Sequence, residues 1–275
     1  MSNTVRNAVL FVATLSLPAA AHAASPCDAR ALPEGPVPTG FQQADFGVVR
    51  RACPRTEVGL SVVGRAAIEQ ENFYANLRGG ARLDASVQPF PQLELFATGE
   101  GFIFNQVIQS YSATHMGLGD SSIGATLLAF GRNGFALAPT ARLTLPTALG
   151  LYRNSFPMGL EAGLLGVIEP FDALRLHGGL LGAATWALTA ADSDDRGALI
   201  SNVGADLVIE DWLAFVVDLN AQALHRADLD RLTVGLGARF AFFDGFGVEL
   251  GAVIPVAGAE RNLASLTLRG AWRFQ

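Results

Sequence analysis

No lysine occurs in this chain: all 19 basic residues are arginines, set against 25 acidic residues for a formal net charge of −6. The arginine bias reads as genome composition rather than chemistry. The acidic balance gives no sign of a nucleic-acid-binding surface. Charge is scarce altogether, at 16% of residues against 50% hydrophobic. A soluble domain carries about a quarter of its residues charged, so the composition leans towards a membrane. Long apolar runs are nevertheless missing, the longest being Ala8 to Ala21 at the N-terminus. A membrane helix needs about 20 apolar residues, which excludes helical spans. Only helices and closed barrels satisfy every backbone hydrogen bond in lipid, so a β-barrel is what remains. Histidine and cysteine are also few, four and two, and none fall at metal-ligand spacing. No metal or other cofactor is expected.

The N-terminus reads as a secretory signal. Arg6 starts it, an apolar core runs from Ala8 to Leu17, and Ala21-His22-Ala23 has the small-x-small form of a cleavage site. Cleavage after Ala23 is expected. A lipoprotein is excluded because Pro26 precedes Cys27, where a small residue is needed. Residues 24–54 hold Pro33, Gly35, Pro36, Pro38 and Gly40, which break regular structure. They form an N-terminal periplasmic or plug-like segment. Both cysteines, Cys27 and Cys53, fall within it. In an oxidising compartment a disulfide between them is expected.

From about Thr56 the chain alternates between polar and apolar residues. Tyr74, Asn76, Arg78, Arg82, Asp84 and Ser86 share one parity, and Ala75, Leu77, Ala81, Leu83, Ala85 and Val87 the other. Successive side chains of a strand point to opposite faces, so one face is polar and the other apolar. The same pattern recurs at 172–186, 212–224 and 264–274. A soluble sandwich alternates too. Here the polar faces carry much Gly, Ala and Thr, too little charge for a solvated exterior. The segments are also near the ~9–11 residues that a tilted membrane strand requires.

Tight connections, such as Gln88-Pro89-Phe90-Pro91, Gly131-Arg132-Asn133-Gly134 and Glu210-Asp211-Trp212, alternate with longer ones near 69–73, 105–119, 146–157, 188–198, 225–231 and 256–262. Barrels of outer membranes have short periplasmic turns and longer external loops. The count gives an all-β, antiparallel transmembrane barrel of about twelve strands over residues 55–275, with both termini periplasmic. Phe90, Phe171, Trp212 and Phe243 sit at the tight turns, where an aromatic girdle belongs. The end of the chain, with Leu268, Gly270, Trp272 and Phe274, has the alternation that barrel-assembly machinery reads, although Gln275 follows the last aromatic. Outer-membrane lipids and that machinery are the expected partners, besides an unidentified small-molecule solute, in the Gram-negative outer membrane.

Two stretches carry a family resemblance. Gly117-Leu118-Gly119-Asp120-Ser121-Ser122-Ile123-Gly124-Ala125-Thr126 is followed by Phe135-Ala136-Leu137-Ala138-Pro139-Thr140-Ala141-Arg142-Leu143-Thr144-Leu145-Pro146-Thr147. Together they resemble the "GxGD…GA" and "LxLPTG" strands of the outer-membrane barrels named after the meta-pathway of phenol degradation, with Ala148 in place of the final Gly. The resemblance implies a relative of the long-chain fatty-acid transporter class, which passes hydrophobic small molecules and carries an N-terminal plug. Residues 24–54 match no plug motif.

Lumen-lining candidates follow from the polar parity: Arg78, Arg82, Asp84, Glu94, Glu100, Arg142, Glu161, Arg175, His177, Asp206, Asp218, Arg239, Glu249, Arg269 and Arg273. Paired across a narrow interior they fill it; lining water they select solutes. Phe96, Phe102 and Phe104 share parity with Glu94 and Glu100, and would form a hydrophobic ligand patch if that face is internal. The competing readings are that these rings pack against the N-terminal segment, and that the register slips by one residue near Gly99 or Gly101. The expected function is passage of small, hydrophobic molecules, with a structural or surface-interaction barrel as the alternative. A third reading is an outer-membrane hydrolase built on His115 with Ser112, Ser121, Ser122 and Asp120, whose spacing matches no phospholipase motif. No enzyme is expected.

Overall fold

The computed structural model describes residues 52–69, 74–108, 112–132, 134–148, 157–187, 196–224, 229–243, 245–258 and 263–274. Every regular element among them is a strand. The first three are β1 (Thr56–Glu69), β2 (Tyr74–Phe90) and β3 (Leu93–Ile108). Three shorter pieces follow, β4 (Ser112–Leu118), β5 (Ser121–Leu127) and β6 (Phe130–Arg132). Then come β7 (Phe135–Leu145), β8 (Pro157–Phe171), β9 (Leu174–Ala187) and β10 (Arg196–Glu210). The chain finishes with β11 (Leu213–Leu224), β12 (Leu229–Phe243), β13 (Phe246–Gly258) and β14 (Leu263–Phe274).

All pairings are antiparallel, and the ring closes where β14 pairs with β1. The pieces β4, β5 and β6 occupy one lane. β4 pairs with one half of β3, β5 with the other half and with β7, and β6 with the start of β7. Fourteen segments with three in a single lane leave twelve lanes (14 − 2 = 12). The sheet therefore has no free long edge, the condition a membrane imposes on β-structure.

The outer face is apolar. Leu60, Val62, Leu83, Val203 and Leu266 are each more than half exposed. Left in water, each large apolar side chain forgoes about 1.5–3 kcal/mol of burial, whereas in hydrocarbon it is at home. Phe90, Phe171 and Trp212 stand exposed beside the tight turns. Two of those turns rest on a glycine in the left-handed region, Gly134 (φ 72°) and Gly245 (φ 80°).

Two departures from the sequence expectation bear on the site. Most of the expected long connection at 105–119 is strand, with Asn105–Ile108 of β3 paired to Ser112–His115 of β4. A hairpin keeps its ladder hydrogen bonds whether or not its residues alternate, so the pattern of 105–115 leaves it unmarked. The second departure concerns the phenylalanines. Between the pairs Arg82–Glu100 and Gly80–Ile103, β2 has one residue and β3 has two. This bulge reverses the parity of β3 beyond it. Phe96 is inside and 5% exposed, Phe102 is outside and 53% exposed, and Ile103 takes the inward position at 4%. Phe104, two residues beyond Phe102, shares its outer parity. The three rings do not form one patch.

Candidate functional site

The interior wall is built from the polar parity of the strands, and its charges meet across lanes. Arg269 on β14 lies between two carboxylates. It is ion-paired with Glu57 of β1, and its Nη2 donates to Asp84 Oδ2 of β2 at 2.6 Å. The middle strand allows this because Gly59 sits under the guanidinium, and a Cβ there would stand 2.6 Å from Arg269 Nη2. Further round, Arg239 of β12 is 3.1 Å from Asp206 of β10 and 3.5 Å from Glu249 of β13. His177 of β9 lies 2.6 Å from Asp218 of β11 and 3.8 Å from Asp206. Arg142 of β7 pairs with Glu161 of β8, and Arg175 Nε donates to Glu169 at 2.6 Å. Neutral groups complete the belt: Asn202 with Asn220, Thr98 with Ser122 and Thr126 with Thr140.

Of the sequence-expected lumen residues, Arg82, Asp84, Glu94, Arg142, Glu161, His177, Asp206, Asp218, Arg239, Glu249 and Arg269 are buried. Glu100, Arg175 and Arg273 are partly exposed. The Arg78 side chain lies outside the described residues. Sequence reasoning missed Arg231, which is buried on β12 and had been assigned to a connection. It also missed the Asn202–Asn220 pair, whose register the β10–β11 hairpin supplies.

One sector of the interior is apolar. Ala136 and Ala138 of β7 and Leu165 and Val167 of β8 form it, and Ala52 and Cys53 are packed against them. β8 lies five lanes round the ring from β1, by way of β2, β3, β5 and β7. Since β1 begins at Thr56, residues 52–55 cross the interior. Arg55 is 3.6 Å from Glu57 and also interacts electrostatically with Glu94 on β3 and Arg175 on β9. Ser86 donates a hydrogen bond to the Arg55 carbonyl at 3.0 Å, holding the crossing segment to β2. The remainder of the 24–54 segment, including Cys27, lies outside the described residues.

The two motif stretches meet at the break between β4 and β5. Thr147 Oγ1 bonds the Gly119 carbonyl at 3.3 Å and Ser121 Oγ at 2.9 Å, and Asp120 Oδ1 accepts the Ala148 amide at 3.3 Å. Gly119 is required there, because a Cβ would strike Glu100 and Ile103. Beyond this clamp, β4 pairs with β3 on one edge, and no strand among the described residues pairs with the other. The same bonds place the groups of the hydrolase reading. Ser121 is turned to Thr147, Ser122 to Thr98 and Asp120 to the backbone of Ala148. The His115 side chain is outside the described residues.

No protein-family model matches the chain, and no curated protein matches it. Solved structures do. The chain is similar to the COG4313 outer membrane channel from Pseudomonas putida F1, with 17% identity, TM-score 0.59, and coverage of 84% of this chain and 100% of that one. It is also similar to the transport unit of the autotransporter AIDA-I from Escherichia coli, with 12% identity, TM-score 0.53, and coverage of 85% and 94%. At such identities the likeness concerns the fold. The fold is that of an outer-membrane β-barrel, here with twelve antiparallel lanes.

Proposed function

We propose that this chain is a channel of the Gram-negative outer membrane for small, hydrophobic molecules. The observation that carries this reading is the two-sided interior. Its charges are largely matched in pairs such as Arg142–Glu161 and Arg239–Asp206, which leaves little net field to draw ions. Opposite β1 stands an apolar wall, Ala136, Ala138, Leu165 and Val167. Pockets for hydrophobic ligands are mostly apolar with a few fixed polar groups. In this reading residues 1–23 are a cleaved signal, the 24–54 segment, closed by a Cys27–Cys53 disulfide, narrows the lumen, and residues 55–275 are the barrel. Both termini are periplasmic, and the outward Leu268, Trp272 and Phe274 of β14 present the signal for assembly. The resemblance of residues 117–148 to the meta-pathway barrels agrees with such a solute.

The dense internal pairing also favours a second reading, a structural barrel without transport. Uptake by intact cells separates the two. Cells producing the protein should accumulate the apolar fluorophore 1-N-phenylnaphthylamine faster than cells without it. Hydrolysis of nitrocefin, a hydrophilic probe, by a periplasmic β-lactamase should be unchanged. No gain in fluorophore uptake would leave the structural barrel; a gain in nitrocefin alone would point to a hydrophilic pore.

A further inference from the structure

The lipid-facing side of the barrel carries a groove. Its volume is about 700 Å³, and its lining is contributed by β2, β3, β5, β7 and β8. Alanines make the floor: Ala85 is paired with Ala97, and Ala125 with Ala141. Leu95 and Ile123, about half exposed, stand up as rims. Elsewhere the outer face is studded with large side chains, so four alanines in two neighbouring rows sink the surface here. A trough of this kind seats an extended hydrocarbon chain better than the ridged wall around it, because contact is gained on three sides.

A cation stands at the tight turn below the trough. Arg132 pairs with Phe135 across β6 and β7, which puts both side chains on the outer face, and Arg132 is exposed. The rings of Phe130 and Phe135 lie 5.7 Å apart beside it, as aromatic residues do at a membrane boundary. Along β7, Ala141 is six residues beyond Phe135 (141 − 135 = 6). At ~3.3 Å per residue that is about 20 Å of strand. A strand tilt of about 40° turns it into about 15 Å of depth, which is half of a hydrocarbon core about 30 Å thick. Arg132 and the groove are thus separated by one leaflet. The next tight turns of the same rim carry exposed acids, Asp172 on the neighbouring turn and Glu210 and Asp211 on the one after it. A negative headgroup is therefore repelled there and accepted at Arg132.

We propose that this face is a binding site for one anionic phospholipid, with an acyl chain in the alanine groove and its phosphate on Arg132. The choice of a phospholipid over the lipid A of the opposite leaflet rests on the reading that the tight turns are periplasmic. A basic residue at a membrane surface favours anionic lipid about fivefold.

The test is native mass spectrometry of the full chain in detergent, with equimolar phosphatidylglycerol and phosphatidylethanolamine added. The wild type should retain phosphatidylglycerol about fivefold over phosphatidylethanolamine. Arg132→Gln should bring that ratio to about one. Ala97→Leu, Ala125→Leu and Ala141→Leu together should fill the groove and reduce retention of both lipids. Because these changes face lipid, the heat-dependent gel shift of a folded barrel should persist; if the triple variant loses it, Arg132→Gln alone decides. Equal retention of the two lipids by the wild type would overturn the proposal, as would an unchanged ratio in Arg132→Gln. A preference for added lipid A over phosphatidylglycerol would overturn it too, and a cysteine-labelling test of turn orientation then shows whether the orientation reading fell with it.

Discussion

His177 and Asp218 bond at 2.6 Å across Gly204, a glycine of the strand that separates them. His177 is on β9 and Asp218 on β11, and Gly204 of β10 is the direct partner of both. Arg269 and Asp84 likewise bond over a glycine of the strand between them, Gly59, which is the direct partner of Asp84. Lanes one apart but not adjacent are thereby tied together on the interior face, where backbone pairing cannot reach. In a low-dielectric interior such bonds are strong when made and costly when broken.

Replacing Gly204 with Ala tests the arrangement. The new Cβ would collide with both Asp218 Oδ1 and His177 Nε2, parting the pair. Leaving two buried polar groups without each other should cost about 2–3 kcal/mol. Gly64→Ala is the matched control, since nothing lies within 4 Å of a Cβ there, and its effect should stay within about 0.5 kcal/mol. Urea titration of the folded gel band reads both. Equal shifts for the two variants would remove the glycine's assigned role.

Arg269→Met should be more damaging. It leaves Glu57 and Asp84 facing one another, both buried, and breaking a buried ion pair from one side costs about 3–5 kcal/mol. Adding Glu57→Gln removes that carboxylate repulsion and should recover part of the loss. If the double variant is no more stable than the single one in the same titration, the carboxylates do not depend on Arg269.

The disulfide is tested by counting thiols. The secreted chain, denatured in iodoacetamide without reductant, should take up no label, and after reduction it should take up two. Cys53 is buried against β7 and β8, so the bond would anchor the segment that crosses the lumen. It should stabilise the segment by about 3 kcal/mol in the chain-entropy account. Two labels before reduction would show separate thiols.

Much of the barrel was legible because alternation is local. A stretch such as Leu213–Leu224 declares its two faces residue by residue, and Pro, Gly and Asp mark where it turns. The bulge opposite Ala81 was legible only as the competing reading of a slip near Gly99 or Gly101, because whether one residue faces two depends on the partner strand. The slip turns Phe102 and Phe104 outward while Phe96 stays inside. Burial of the charged parity could be read from sequence, but the pairs could not. Glu57 and Arg269 are 212 residues apart and meet only because the ring closes. The roles of Gly59 and Gly204 likewise exist only in the register of three strands. Asp120 and Thr147 were noticed as parts of a motif, and it took the folded hairpin to show that they bond across the strand break.

The most direct test of the account is planar-bilayer conductance of the full mature chain against one lacking residues 24–54. With Ala52 and Cys53 lying across the interior, the full chain should conduct weakly, and the shortened one several times more strongly while still showing the heat-dependent gel shift. Equal conductance from two folded barrels would contradict a lumen narrowed by its own N-terminal segment.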